Sequence, residues 1–319
     1  MNNKQGTIKI FVGTSEVELI ALKVLEHSIK RHTKDVVEVT KIDNSLAPEP
    51  PDARFLPYTN FSFGRFVIPQ LTNYEGRAIY LDSDMIVFKD ITELWNTPFV
   101  NAKILIEKTN PLSDKEKTTA VMLMDCSKLP WKIESIISNF GKEYDYEELM
   151  SMKPLLDDGD ISDSLPIGWN SLDHFNEETR LLHYTKIKTQ PWVYPCHKLG
   201  KLWVDELKMM LDSGVIDADL IKQQVAVGNI RPSLLIELSL LSGYENKEMS
   251  EKELLKHDQQ SGFVIHQKLI QRNKERKQTQ WEYEKKTDPE GFKKRQRFRQ
   301  WRTFRRHPLK FIFNASKRK

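Results

Sequence analysis

Cysteine is nearly missing from this chain: 319 residues contain two, Cys126 and Cys196. Two thiols seventy positions apart make neither a disulfide framework nor a zinc knuckle, and such sparing use suits a reducing cytosol. No apolar run approaches the roughly 20 residues a membrane span needs. The start, Met1-Asn2-Asn3-Lys4-Gln5-Gly6-Thr7, runs directly into the strand-like Ile8 to Val12 and lacks the pattern of a secretory leader. No internal repeat is visible. With 39% hydrophobic and 10% aromatic residues the chain can bury a real core, which excludes global disorder.

Charge is unevenly spread. From Gly291 to Lys319 there are 12 Lys or Arg and no Asp or Glu, leaving 37 basic against 45 acidic residues in the body. A net negative body is no nucleic-acid binder; the cationic end is suited to an anionic surface. There Phe298, Trp301 and Phe304 recur at helical spacing among Arg297, Arg299, Arg302, Arg305 and Arg306, followed by Phe311-Ile-Phe313. A cationic amphipathic helix of this kind fits the interface of an anionic bilayer, each basic residue contributing about 1 kcal/mol. A nucleic-acid arm or a solubilising tail are the alternatives.

Hydrophobic periodicity alternates between strand and helix through the first half. Strands are expected at Ile8–Val12, Val36–Ile42, Arg77–Leu81, Lys103–Glu107 and Ala120–Met124, with helices at Glu18–Lys30, Phe63–Leu71 and Ile133–Phe140. That order predicts an α/β fold with an open, mostly parallel sheet flanked by helices. Between the second strand and Phe63 lies a loop rich in proline (Pro48, Pro50, Pro51, Pro57), of a kind that is often functional. After residue 196 the pattern becomes helical: Leu202–Asp212, Leu220–Val227, Ser233–Leu241 and, more weakly, Glu251–Asp258. Positions 272–290 are highly polar. The expected organisation is a catalytic domain over 1–195, a helical appendage over 196–270, and a polar then basic amphipathic tail over 271–319.

The most informative stretch is Ala78-Ile-Tyr-Leu-Asp-Ser-Asp-Met-Ile-Val87. A buried strand delivers Asp82 and Asp84 at its carboxyl end, where open α/β sheets place ligands. Alternation puts both carboxylates on one side, and two hard oxygen donors suit Mn²⁺ or Mg²⁺, which can also bind a diphosphate. The plain alternative is a solvated turn.

The longer run Arg77 to Trp95 resembles the core signature of family 8 glycosyltransferases, which include glycogenin and bacterial lipopolysaccharide galactosyltransferases. Phe63-Gly-Arg-Phe-Val-Ile-Pro-Gln-Leu71 is similar to that family's arginine-bearing helix. The resemblance implies a GT-A nucleotide-sugar fold, a metal bridging the donor's diphosphate, and transfer with retention. It assigns Asp82 and Asp84 to metal and nucleotide, with Ser83 between them, and Arg65 to the donor; Asp90 is structural. Leu182-His-Tyr-Thr-Lys-Ile-Lys-Thr-Gln-Pro-Trp192 is similar to the family's His-Tyr-x-Gly-x-x-Lys-Pro-Trp element, which makes His183 the third metal ligand. Here Lys186 replaces the glycine, the segment is one residue longer, and Gln190 stands where the lysine would be. Lys188 or Lys186 could reach the phosphates instead.

The same resemblance places the base of a UDP donor at Gly13-Thr14-Ser15, where Ser15 occupies the acidic position and Glu16 comes one step later. Thr118 to Asp125 resembles the strand beneath the sugar, with Thr118 in place of an asparagine. Leu155-Leu-Asp-Asp-Gly-Asp160 is a poorer match to the region contacting the donor sugar and nominates Asp158 or Asp160. Trp169-Asn170 reads as structural.

The implied protein is a metal-dependent retaining glycosyltransferase that moves a sugar from a UDP-sugar to an acceptor hydroxyl on a glycan or lipid-linked molecule. It would sit on the inner membrane face through its tail, as in lipopolysaccharide biosynthesis. No catalytic nucleophile can be nominated. A non-catalytic nucleotide-sugar-binding protein is one alternative. The other is a phosphatase resembling the haloacid dehalogenases. Such an enzyme needs Thr or Val where Ile86 stands, and its later acidic box is one residue short at Gly159-Asp-Ile-Ser-Asp163.

Overall fold

The computed structural model describes residues 6–43, 45–50, 60–107, 119–244, 248–294 and 296–297. Strands form where the apolar runs are. They are β1 (Ile8–Gly13), β2 (Val37–Ile42), β3 (Arg77–Asp82), β4 (Met85–Val87), β5 (Ile104–Glu107), β6 (Val121–Asp125), β7 (Ile161–Leu165), β8 (Ser171–Leu172) and β9 (Leu181–His183). The main sheet has the order β2-β1-β3-β6-β5-β7. β2 is parallel to β1, β1 to β3 and β5 to β7, while β6 runs antiparallel to both its neighbours. The α/β class and the mostly parallel sheet therefore hold.

Because both faces are covered, the central strands are near-continuous hydrophobic runs rather than alternating ones. Along β3, Ala78 and Tyr80 face a cluster with Phe63, Phe66, Ile68, Trp131, Ile136 and Phe140. Ile79 and Leu81 face the opposite cluster, with Leu22, Leu25 and Ile29 from the helix Leu19–His32 and with Leu94 and Trp169. Each such fully buried aliphatic side chain contributes about 1.5–3 kcal/mol.

A small second sheet, β4-β9-β8, lies beyond the carboxyl end of β3. Neither β7, β8 nor β9 was expected, since each is short and only β9 is apolar. In the arginine-bearing segment, short turns at Asn60–Gly64 and Ile68–Leu71 flank a tighter turn at Arg65–Val67. Pro69 sits in the first turn of the last piece, where its missing N–H costs nothing.

Beyond residue 195 the chain continues into a hydrophobic cluster shared with the body. The helix Gly200–Asp212 brings Trp203, Leu207 and Met210 against Ile20, Ala21 and Val24, on the side of Leu19–His32 that faces away from the sheet. Glu206 ties the two helices through His27 Nδ1 at 2.6 Å and Arg31 Nη2 at 2.7 Å. Residues 196–240 thus add a third layer to the body. The expected helix at Ser233–Leu241 is reduced to Leu234–Glu237, ended by the left-handed Ser239 (φ 57°).

The polar stretch after 271 belongs to a 21-residue helix, Gln267–Thr287. With little apolar surface to bury, this helix is supported by i,i+4 contacts such as Gln271–Glu275 and by Lys285 over the Trp281 ring. Among the described residues, no helix is long and apolar enough to cross a membrane.

Candidate active site

The carboxyl ends of β1 and β3 meet side by side. Gly13 is opposite Asp82 in the parallel register, and its carbonyl accepts from Ser83 N at 3.1 Å. The small sheet then brings His183 across from Met85, and Tyr184 N donates to the Asp84 carbonyl at 2.9 Å. Two segments a hundred residues apart thereby place ligand atoms of Asp82, Asp84 and His183 within 4.8 Å of one another.

Asp82 and His183 are held from behind. Tyr80 and Asp82 share a face by strand alternation, and the Tyr80 hydroxyl donates to Asp82 Oδ1 at 2.7 Å. The same phenol accepts from Arg65 Nη2 at 3.1 Å. Asn170 Oδ1 lies 2.9 Å from His183 Nδ1, which fixes the ring proton there and turns Nε2 toward Asp84 Oδ1 at 3.1 Å. Asp84 Oδ1 is buried and has no hydrogen-bond partner. The His183 Nε2 and the Asp84 Oδ1 thus face each other beside Asp82, in a place a cation could occupy. Two carboxylates and one imidazole suit Mn²⁺, so the residues fit the metal expected of them.

The electrostatics agree. Burial pushes the Asp82 carboxyl above its usual range and Asp84 adds to this, while Arg65 opposes it. Burial alone would lower His183; the charges of Asp84 and Asp82 outweigh it and raise the imidazole's pKa. Glu18 is pushed up to about 7, by burial first and then by Asp84. This third carboxylate accepts from Ser15 N at 3.2 Å and Ser15 Oγ at 2.8 Å. Glu18 escaped the sequence reading, although Ser15-x-x-Glu18 is a capping-box pattern that could have found it.

Other expected residues find different employment. Arg65 is buried beneath Asp82 rather than open to a ligand. Its guanidinium donates to Ser62 O, to Thr119 O and Oγ1, and to Tyr80, with Asp82 Oδ1 3.8 Å away. It steadies the site's carboxylate from below. Gly13 permits a close approach, but of Tyr80: a Cβ there would lie 2.4 Å from the phenol oxygen. Thr14 and Ser15 are buried beside it, and Ser83 is buried between the two aspartates. Lys188 is exposed on the turn Ile187–Thr189.

Asp158 and Asp160 are not brought to the site. Asp160 precedes β7, and its carbonyl accepts from Lys103 N and Ile104 N at the start of β5, the amino ends of the parallel strands. Its side chain pairs with Lys103 at 2.8 Å. Asp158 is exposed on the same turn. Asp158 and Asp160 therefore lie at the opposite end of the sheet from Asp82 and Asp84. Thr118, and Phe298, Trp301, Arg302, Phe304 and Arg305 of the tail, lie outside the described residues.

Residues 1–145 match glycosyl transferase family 8. The first 145 residues are thus similar to family 8 glycosyltransferases. The phosphatase reading lapses with that match. Protein CDI of Arabidopsis thaliana is 25% identical over 234 residues, 65% of this chain and 88% of that protein. Among solved structures, the bifunctional glycosyltransferase WbbM is similar with a TM-score of 0.48 and 13% identity, over 65% of this chain and 50% of that one. The galactosyltransferase LgtC, solved with donor and acceptor sugar analogs, gives 0.42 and 14%, over 62% of this chain and 95% of that one. The chain thus spans half the length of WbbM. The matched family region includes Asp82 and Asp84; His183 joins the family 8 domain's site only through the small sheet.

Proposed function

We propose that this family 8 domain transfers a sugar, with retention, from a UDP-sugar to an acceptor hydroxyl, using Mn²⁺ or Mg²⁺ held by Asp82, Asp84 and His183. The observation that carries the reading is the convergence of ligand atoms of Asp82, Asp84 and His183 within 4.8 Å of one another. When bound, the cation would supply positive charge against the negative charge that develops on the departing diphosphate.

The chain's own residues prepare that event. Tyr80 and Asn170 orient Asp82 and His183, so that their free lone pairs converge without reorganisation. Arg65 sets a fixed buried charge below Asp82. Gly13, Thr14 and Ser15 border the site where the nucleoside would enter, as the sequence resemblance suggests. Lys188, exposed on its turn, offers a flexible point charge for the diphosphate that Gln190 cannot. The basic aromatic tail around Phe298, Trp301, Arg302, Phe304 and Arg305 would bring the enzyme to an anionic membrane surface carrying a glycan or lipid-linked acceptor.

Isothermal titration of UDP with and without Mn²⁺, on the native chain and on Asp84→Ala, tests the donor site. Metal-dependent UDP binding that the variant loses supports it. No UDP binding under either condition removes UDP as the donor, and nucleotide binding without UDP-sugar turnover favours a non-catalytic binding protein.

A further inference from the structure

Gln190 occupies a position with three polar demands on it. It is 2% exposed, in the segment that follows His183. Its Nε2 donates to Asp84 Oδ2 at 2.9 Å and to the Tyr184 carbonyl at 3.0 Å. Two acceptors on one side fix the amide's orientation, because the reverse placement would set its carbonyl oxygen against both. Oε1 therefore points the other way, where His266 Nε2 lies 3.1 Å off and must donate. His266 is 5% exposed; burial lowers its pKa, and a hydrogen bond to the Ile187 backbone opposes this.

His266 is also conformationally unusual. It holds a left-handed backbone (φ 49°, ψ 41°) immediately before the helix Gln267–Thr287. A non-glycine residue in that region is strained and persists only where its surroundings over-determine it. Here the strain turns a buried imidazole onto Gln190. The contacts link positions 106 and 76 residues apart in sequence.

The consequence falls on Asp84. With Oδ2 tied to Gln190, only Oδ1 remains to face His183 and the site. A carboxamide is suited to this place: it gives two donors to Asp84 and Tyr184 and one acceptor to His266. A lysine has no acceptor for His266, and a carboxylate would repel Asp84.

We propose that Gln190 and His266 are positioning residues that present one oxygen of Asp84 to the cation, making the start of the C-terminal helix part of the catalytic unit. The inference rests on the metal reading of Asp82, Asp84 and His183. It places a determinant of metal affinity outside the region matched to the family, in the C-terminal third of the chain.

The test is a Mn²⁺ titration of the full chain at fixed UDP, followed by electron paramagnetic resonance, with metal-free melting temperatures recorded alongside. Gln190→Leu is expected to weaken Mn²⁺ binding about ten- to a hundred-fold, the range for losing an outer-shell partner. His266→Ala should weaken it about ten-fold. His266→Gln, whose amide can still donate, should recover most of that loss at a similar melting temperature. A purely structural histidine would give equal losses in both His266 variants, and that result overturns the inference. So does undiminished Mn²⁺ binding in Gln190→Leu and His266→Ala while the native chain binds. A native chain that binds no Mn²⁺ overturns the metal site itself, and this inference with it. Should Gln190→Leu fail to fold, the His266 pair decides alone.

Discussion

Two acidic stretches of this chain look alike on paper, Asp82-Ser83-Asp84 and Asp157-Asp158-Gly159-Asp160. The first follows a strand and the second precedes one. At the carboxyl end of β3 the two carboxylates are half-buried, burial pushes Asp82 above its ordinary range, and Asp84 faces His183 at 3.1 Å. At the amino end of β7, Asp160 closes its own turn on Asp157 N, and Lys103 holds its carboxyl below the usual range. The same residue type lines a candidate metal site in one place and fastens a loop in the other. What separates them is which end of a parallel strand they occupy, because the backbone leaves a crevice at the carboxyl ends.

The comparison breaks most sharply by removing the acids. Asp84→Ala should weaken Mn²⁺-dependent UDP binding by more than about a hundred-fold, since loss of an outer-shell partner alone can reach that. Undiminished titration of UDP by that variant would leave the first stretch no more functional than the second.

Next in size is the support below Asp82. Gly13→Ala forces a methyl to within 2.4 Å of the Tyr80 oxygen and should cost about 1–3 kcal/mol in urea unfolding. Tyr80→Phe removes the donor to Asp82 and should by itself cost about 1–3 kcal/mol, because buried partners lose a hydrogen bond. In the double variant the clash with oxygen is gone, so the two losses should fall short of additive. Strict additivity would show that the glycine is not there for the phenol.

Glu18 sharpens the contrast through pH. Its folded pKa of about 7 lies above the ordinary 4.5, so the proton is held more tightly in the fold. Its contribution is fully present below about pH 4.5 and is lost as pH rises to about 7. Glu18→Gln should therefore leave metal-free stability unchanged at pH 4 and raise it by about 2 kcal/mol at pH 8, discounted for partial exposure. An equal effect at both pH values would contradict the assignment. The smallest effect belongs to Asp160→Asn, which should leave Mn²⁺-dependent UDP binding within about two-fold of native, as for a surface pair far from the ligand.

Much of this was legible because local rules and global fold agree. Five apolar runs became β1, β2, β3, β5 and β6, and the Asp82–Asp84 pair could be placed at a strand end before any coordinates. The aromatic support was half-legible: Tyr80 was visible in the strand, but its bond to Asp82 and the packing of Arg65 beneath it were not. Short strands such as Ser171–Leu172 carry too few residues for a period to register. The helix Gln267–Thr287 gave no apolar stripe, so its existence rests on side-chain pairs along its surface rather than on a buried face.

The order of the strands β1, β2, β3, β5 and β6, the class of sheet, and the acids at the end of its third strand follow from the sequence alone, because hydrophobic periodicity and turn chemistry act over a few residues. The tertiary structure alone decided that Arg65 lies beneath Asp82 and that Gln190 joins Asp84 to His266. Those pairings span up to a hundred residues and depend on how three layers pack, and no local pattern carries that information.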